Sequence, residues 1–311
     1  MNEQYGQPFN GRRNFDTDAW VERQQKERDQ VYGMIEQAVL ETASDPKRFM
    51  EYLDVQARLD RYTVSNAMLI MKQYPTATLL KEKNDWTDER VYVRQSEKPV
   101  LILKPKEYVR LDGGFATAYN VRRVYDISQT SFRGTTEKES VDLKLLSTAV
   151  VNSALVPVLI NKERTSPEQK AVYDHQERTV FVSKDMSNAT ELFQLLALEM
   201  AHVQLAEREE NYDRDGNAFR AGCIAYLLCK KNGVDAVCYA VEELPKEWKE
   251  MEAKDIRGEL SVIKEAFGEV QGRMTDELYR IRREEERAQD RERRQQERQE
   301  RQKERERDEE R

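Results

Sequence analysis

Histidine is nearly absent from this chain: there are two in 311 residues, His175 and His202. A catalytic zinc centre normally takes three protein ligands and keeps one position open for water, so imidazoles alone cannot build one here. Cysteine adds little. Cys223, Cys229 and Cys238 are odd in number and lack C-x-x-C spacing, which argues for free reduced thiols over disulfides or a zinc ribbon. No apolar run approaches the roughly 20 residues that a membrane-spanning helix needs. Met1 to Arg13 is polar, with no hydrophobic signal region, so a cytoplasmic protein with no membrane partner is expected. The net charge of −7 speaks at first sight against nucleic acid, because it is the wrong sign for phosphate.

What is present begins with Leu198-Glu199-Met200-Ala201-His202, the outline of an H-E-x-x-H zinc-protease helix whose first histidine is missing. That motif works because residues four apart share a helical face and can grip one ion. With Leu198 in the first position, Glu199 has no metal-bound water to activate. The helix itself is well signalled. Ser187 or Asn188 suits the N-cap, Glu191 the first turn, and Leu192, Leu195, Leu196, Glu199, His202 and Ala206 fall near one face. Two polar groups on an apolar face need partners. Upstream, the β-rich runs Lys170–Val172 and Thr179–Val182 flank Asp174-His175-Gln176-Glu177, which reads as a hairpin turn. His175 in that turn is read as a solvated turn residue in preference to a ligand.

The remaining pattern predicts an α+β chain. A charged amphipathic helix spans about Thr17 to Thr42, and Pro46 after Ser44-Asp45 suits a helix N1 position. Helices follow at about 47–60 and 64–73, then short strands at 78–80, 91–93, 100–103 and 116–127. A linker at 131–140 precedes a helix, a strand at 155–160, the hairpin, and the two helices that carry the site. From Glu247 the chain is largely helical. Its last part, from Tyr279, alternates Arg and Glu with no a/d stripe, which predicts either a solvated helix or a disordered charged tail and argues against a coiled coil.

Several linked motifs carry a family resemblance. Tyr62-Thr63-Val64-Ser65-Asn66-Ala67-Met68-Leu69-Ile70, Gln73-Tyr74-Pro75-Thr76-Ala77-Thr78, Trp86, Val91 to Pro105 and Val124-Tyr125-Asp126-Ile127-Ser128-Gln129-Thr130 stand in the order found in ArdC-type antirestriction proteins and the related LtrC-like proteins of conjugative elements. Residues 47–130 resemble their N-terminal single-stranded-DNA-binding domain, and 141–240 their metallopeptidase-like domain. The resemblance implies a small α/β DNA-binding part at 46–130 and a degenerate zincin-like part at 141–245. These lie between a charged N-terminal helix at 1–45 and a helical, charged C-terminal tail at 246–311. It also implies a third metal ligand, a glutamate shortly before an Ala-Tyr pair; here the pair is Ala225-Tyr226 and the expected acid position is Gly222. Cys223 lies one residue, about 100° of helix, away from that position, and Asp213 and Asp215 sit in the preceding loop. The family's Gly-containing turn before a buried strand is Gln95-Ser96-Glu97-Lys98-Pro99 here, so this turn is expected to use φ values that Ser96 and Pro99 tolerate.

Charge is distributed in favour of a DNA-binding first part. Residues 46–130 carry fifteen Lys and Arg against eleven Asp and Glu, while residues 139–276 carry seventeen against twenty-five. Binding through so modest an excess should be weak and salt-sensitive. Single strands are held by aromatic faces interleaved with cations, and the candidates are Arg61, Tyr62, Asn66, Lys72, Trp86, Arg90, Arg94 and Lys98. Tyr62 and Trp86 are equally well read as core aromatics. Asn66 either holds a base edge or caps a neighbouring loop. The expectation is a non-catalytic accessory protein that binds single-stranded DNA, holds no metal, and uses its second half as a scaffold or protein-binding surface. Glu199 and His202 would be remnants. The alternative is an active metallopeptidase with zinc or manganese on His202 and unexpected acids; a third reading makes the acidic second half a DNA mimic.

Overall fold

The computed structural model describes residues 17–110, 113–134 and 142–309. It is a mixed helix and sheet protein with two small sheets and a long C-terminal helix. Helix α1 (Thr17–Ser44) leads into α2 (Pro46–Arg58), whose N-cap Asp45 accepts from the Lys47 N–H with Pro46 in the first turn. Helix α3 (Val64–Gln73) is capped by Thr63. All three follow the sequence reading closely, because cap chemistry and apolar periodicity agree.

The first sheet departs from it in instructive ways. Its strands are β1 (Leu80–Glu82), β2 (Val100–Val109) and β3 (Phe115–Asp126), antiparallel in the order β1-β3-β2. The expected strand at 78–80 starts later because the Asp126 carboxylate takes the N–H groups of Thr78 and Leu79, at 2.6 and 2.9 Å. A short helix unforeseen in the sequence, α4 (Lys83–Asp88), follows β1 with a reciprocal Glu82/Asp85 capping box. The expected strand at 91–93 is a single bridge, Val93 to Thr130. Strand β2 runs six residues past the expected Leu103, along a segment with exposed side chains on both faces. Ser96 adopts φ +68°, a left-handed value that favours glycine, which corrects the expectation that this turn uses only angles serine readily tolerates.

β2 is an edge strand, and α3 closes its inner half. The Asn66 amide donates to the Leu103 carbonyl and accepts from the Leu103 N–H, both at 2.8 Å; Gln73 does the same at Leu101, both at 2.9 Å. Two side-chain amides thus replace the missing neighbour strand, satisfying ladder groups that would otherwise be orphaned.

The linker expected at 131–140 lies outside the described residues from 135 on; next come α5 (Leu143–Asn152) and a second sheet of β4 (Val158–Ile160), β5 (Ala171–Asp174) and β6 (Thr179–Val182). Its order is β4-β6-β5, with β4 parallel and β5 antiparallel to β6. The anticipated hairpin turn joins β5 and β6. Helices α6 (Ala189–Ala206) and α7 (Ala218–Lys231) pack against each other, and α8 (Ala253–Glu309) closes the body. One continuous core joins the two halves of the described chain. Phe49 of α2 meets Phe219 and Trp248, with ring centroids 5.6 Å away in both cases. The Tyr226 hydroxyl donates to Asp54, 2.7 Å away. Apolar packing of α8 runs from Ile256 to Ile281 and stops there.

Candidate functional site

The Asn188 side chain caps α6 by accepting from the Glu191 N–H at 2.9 Å, and Glu191 in turn accepts from the Ser187 N–H and from Lys170. The Lys170 bond is the main reason the Glu191 carboxyl falls to about 2. Two turns on, Glu199 and His202 are 1% and 3% exposed. Burial of an acid and an imidazole demands partners, and each has one from outside its helix.

Glu199 is gripped by Arg214, from the loop between α6 and α7. The two guanidinium nitrogens meet the two carboxylate oxygens at 2.9 and 2.7 Å, a bidentate fork. The Tyr173 N–H, facing out from edge strand β5, donates to the same carboxylate at 2.6 Å. Both oxygens of this carboxylate are thus occupied by N–H donors. His202 is paired through Nδ1 with the Tyr212 hydroxyl at 2.7 Å. Burial, and secondarily the Arg214 charge, pushes its pKa down to about 3; burial also raises that of Tyr212. A neutral imidazole and a protonated phenol share this bond, each able to donate to or accept from the other.

His175 is half-buried, not fully solvated, with its ring centroid 5.2 Å from that of Tyr212; Tyr212 thus stands between the chain's two histidines. Tyr173, His175, Tyr212, Arg214 and Arg164 line part of an open cavity of about 430 Å³. Arg164 pairs across it with Asp174 and Glu177.

A catalytic metal does not fit this donor set. Leu198 and Gly222 offer no ligand atom, and a Cβ built on Gly222 would meet nothing within 4 Å. Cys223 is fully buried beside Tyr52 of α2, its thiol pushed up by burial. Asp213 is exposed and closes its own loop by accepting from the Gly216 N–H at 2.7 Å; Asp215 is exposed. Among the described residues no three His, Cys, Asp or Glu side chains converge as a metal site. Arg214 was not anticipated. The available signal was an acid on an apolar helix face with its ligand partners gone, which calls for a cation from a neighbouring loop.

The DNA-binding candidates separate clearly. Asn66 is spent on the β2 edge, and Trp86 is 2% exposed with its indole N–H donating to the Tyr125 carbonyl at 2.9 Å. Both belong to the architecture, which corrects their assignment to a base-contacting surface. Tyr62 is half-buried, its hydroxyl directed at the Leu80 carbonyl. Lys72 pairs with Glu41 of α1 at 3.0 Å. Arg94 binds Glu97 and the carbonyls of Ser128 and Thr130. Arg61, Arg90 and Lys98 are exposed, and near them Tyr92 is 58% exposed.

No family model matches this sequence, and no curated protein does. Solved structures similar to it include two of the antirestriction ArdC protein from the R388 plasmid. The metal-free form is 16% identical with a TM-score of 0.47, the match covering 69% of this chain and 86% of that one. The Mn(II)-bound form is 15% identical with a TM-score of 0.46, covering 70% and 84%. These structure neighbours are from the family whose motifs the sequence resembles.

Proposed function

We propose that this protein is a non-catalytic accessory protein of a mobile genetic element, of the antirestriction or conjugation-associated kind. In this reading it binds single-stranded DNA through its first half, and its second half is a retired, zincin-like peptidase serving as scaffold or protein-binding surface. The observation that carries the non-catalytic reading is the Glu199–Arg214 fork. The carboxylate that would handle a proton is neutralised by a cation of the chain itself, and the two neighbouring ligand positions are leucine and glycine. Support for DNA binding comes from the linked motifs between Tyr62 and Thr130 and from the local excess of Lys and Arg. The placement is cytoplasmic. Among the described residues no helix is long and apolar enough to cross a membrane.

The test is fluorescence anisotropy of the full chain with a labelled single-stranded oligonucleotide at low and high salt. Binding that weakens steeply with salt is expected; absence of binding at low salt rejects the DNA half of the reading. Purified protein dialysed against zinc or manganese should retain less than about a tenth of an equivalent and leave casein uncut. Stoichiometric metal together with cleavage would reject the non-catalytic half.

A further inference from the structure

The outer halves of β2 and β3 leave the body as a two-stranded ribbon. Strand β1 pairs β3 only at Val124, Tyr125 and Asp126, and the amide contacts from α3 stop at Leu103. From Lys104↔Asn120 to Val109↔Phe115 the two strands therefore have only each other. A bare ribbon is marginal in water and gains nothing from exposed rings, yet Phe115 is 80% exposed, Val109 62%, Tyr108 47% and Tyr119 43%.

Register sorts these side chains, because alternate residues share a face. Arg123, Tyr119 and Phe115 lie on one face of β3 at four-residue intervals, about 13 Å apart, with Val121 and Thr117 between them. The other face carries Lys104, Lys106 and Tyr108 of β2 over the small Ala118 and Ala116. Residues 103–123 hold five Lys and Arg against two acids. Lys104 is tied to Glu82 at 3.2 Å and Arg123 to Glu27, surface pairs worth little, which a phosphate can replace.

We infer that this ribbon is an arm that grips single-stranded nucleic acid: unpaired bases stack on Phe115 and Tyr119 beside Arg123, and the backbone crosses the free β2 edge to reach Lys104 and Lys106 on the opposite face. Stacking needs exposed ring faces and tolerates any base; the rings here are exposed, with Arg123 and the acid Glu107 on their face and Lys104 and Lys106 one strand-edge away on the other. A second copy pairing edge to edge suits the ribbon poorly, since Lys104, Pro105 and Lys106 on the edge strand are the residue types that block such pairing. The inference rests on the DNA-binding reading above and adds residues that reading did not include.

The full chain and a Phe115→Ala/Tyr119→Ala double variant should be titrated with labelled oligo-dT, with Tyr279→Ala, an exposed aromatic on α8, as control. The double variant should lose roughly tenfold or more in affinity while its melting temperature and the control's affinity stay unchanged. A Lys104→Ala/Lys106→Ala variant should flatten the log–log salt slope by about 1.4. Ultraviolet cross-links should map to Phe115 or Tyr119. If the parent binds and the double variant binds equally well, the arm is rejected and the DNA-binding reading survives. If the parent does not bind, both fall. A double variant that changes the protein's mass in solution, with affinity unchanged, would make the ribbon a self-association surface instead.

Discussion

At the scale of single residues, the molecule is governed by one charge balance. Glu199 is buried and, among the described residues, Arg214 is the charged group paired with it, so removing the guanidinium leaves an uncompensated carboxylate in the core. Arg214→Ala should cost about 2–4 kcal/mol, reduced somewhat from the fully buried case because Arg214 is 31% exposed. Arg214→Lys should recover only part of this, since an ammonium cannot make the fork; urea denaturation measures both. His202 gives a pH signature. Its pKa is about 3 in the fold and about 6.5 in the unfolded chain. Between those values the unfolded state binds a proton that the native state refuses, so stability falls as pH drops from 6.5 towards 3, by up to about 1.4 kcal/mol per unit. Comparison with His202→Gln, which keeps an acceptor for Tyr212, isolates that slope; equal slopes would contradict it. The sequence announced that Glu199 and His202 needed partners but could not name them. Tyr212 and Arg214 reach them from a loop, where no periodicity points a side chain.

At the scale of elements, the legible parts were those in which a cap and a periodic apolar face coincide. Asp45-Pro46 and Asn188 each mark a helix start that the structure reproduces. The illegible parts were those decided by tertiary contacts. β1 begins where Asp126 releases the backbone, and α4 exists because Glu82 and Asp85 cap each other. The outer half of β2 has no buried face, hence no alternation to read. Asn66 shows the limit well: a polar residue in an apolar helix was correctly marked as special, yet a base edge and a structural cap look alike in sequence. Its structural role is measurable. Asn66→Ala or Gln73→Ala should each destabilise by about 1–3 kcal/mol by orphaning two backbone groups of β2. Because both cap one strand edge, the double variant should fall short of the sum. Faster amide exchange at Leu101 and Leu103 would confirm the site of the damage.

For the molecule as a whole, the two halves share a core, and Phe49 and Tyr52 of α2 lie against Phe219 and Cys223 of α7 and would lose that cover without it. Binding work therefore calls for the intact chain. The opposite holds for the far end of α8. Beyond Ile281 no described residue packs on the core, and the ion pairs there, such as Arg293 with Asp290, are local ones. Deleting residues 287–311 should lower the helical signal in circular dichroism while leaving the melting temperature within about 1 °C. A larger drop would mean that the segment docks on the body. The Arg214 fork has one more consequence. A positive charge encoded in the gene is delivered by the ribosome together with the acid it neutralises, in fixed one-to-one ratio and without any chaperone or transporter. The Glu199 carboxylate of a newly made copy is therefore balanced by its own chain, and the melting temperature should be the same with and without EDTA.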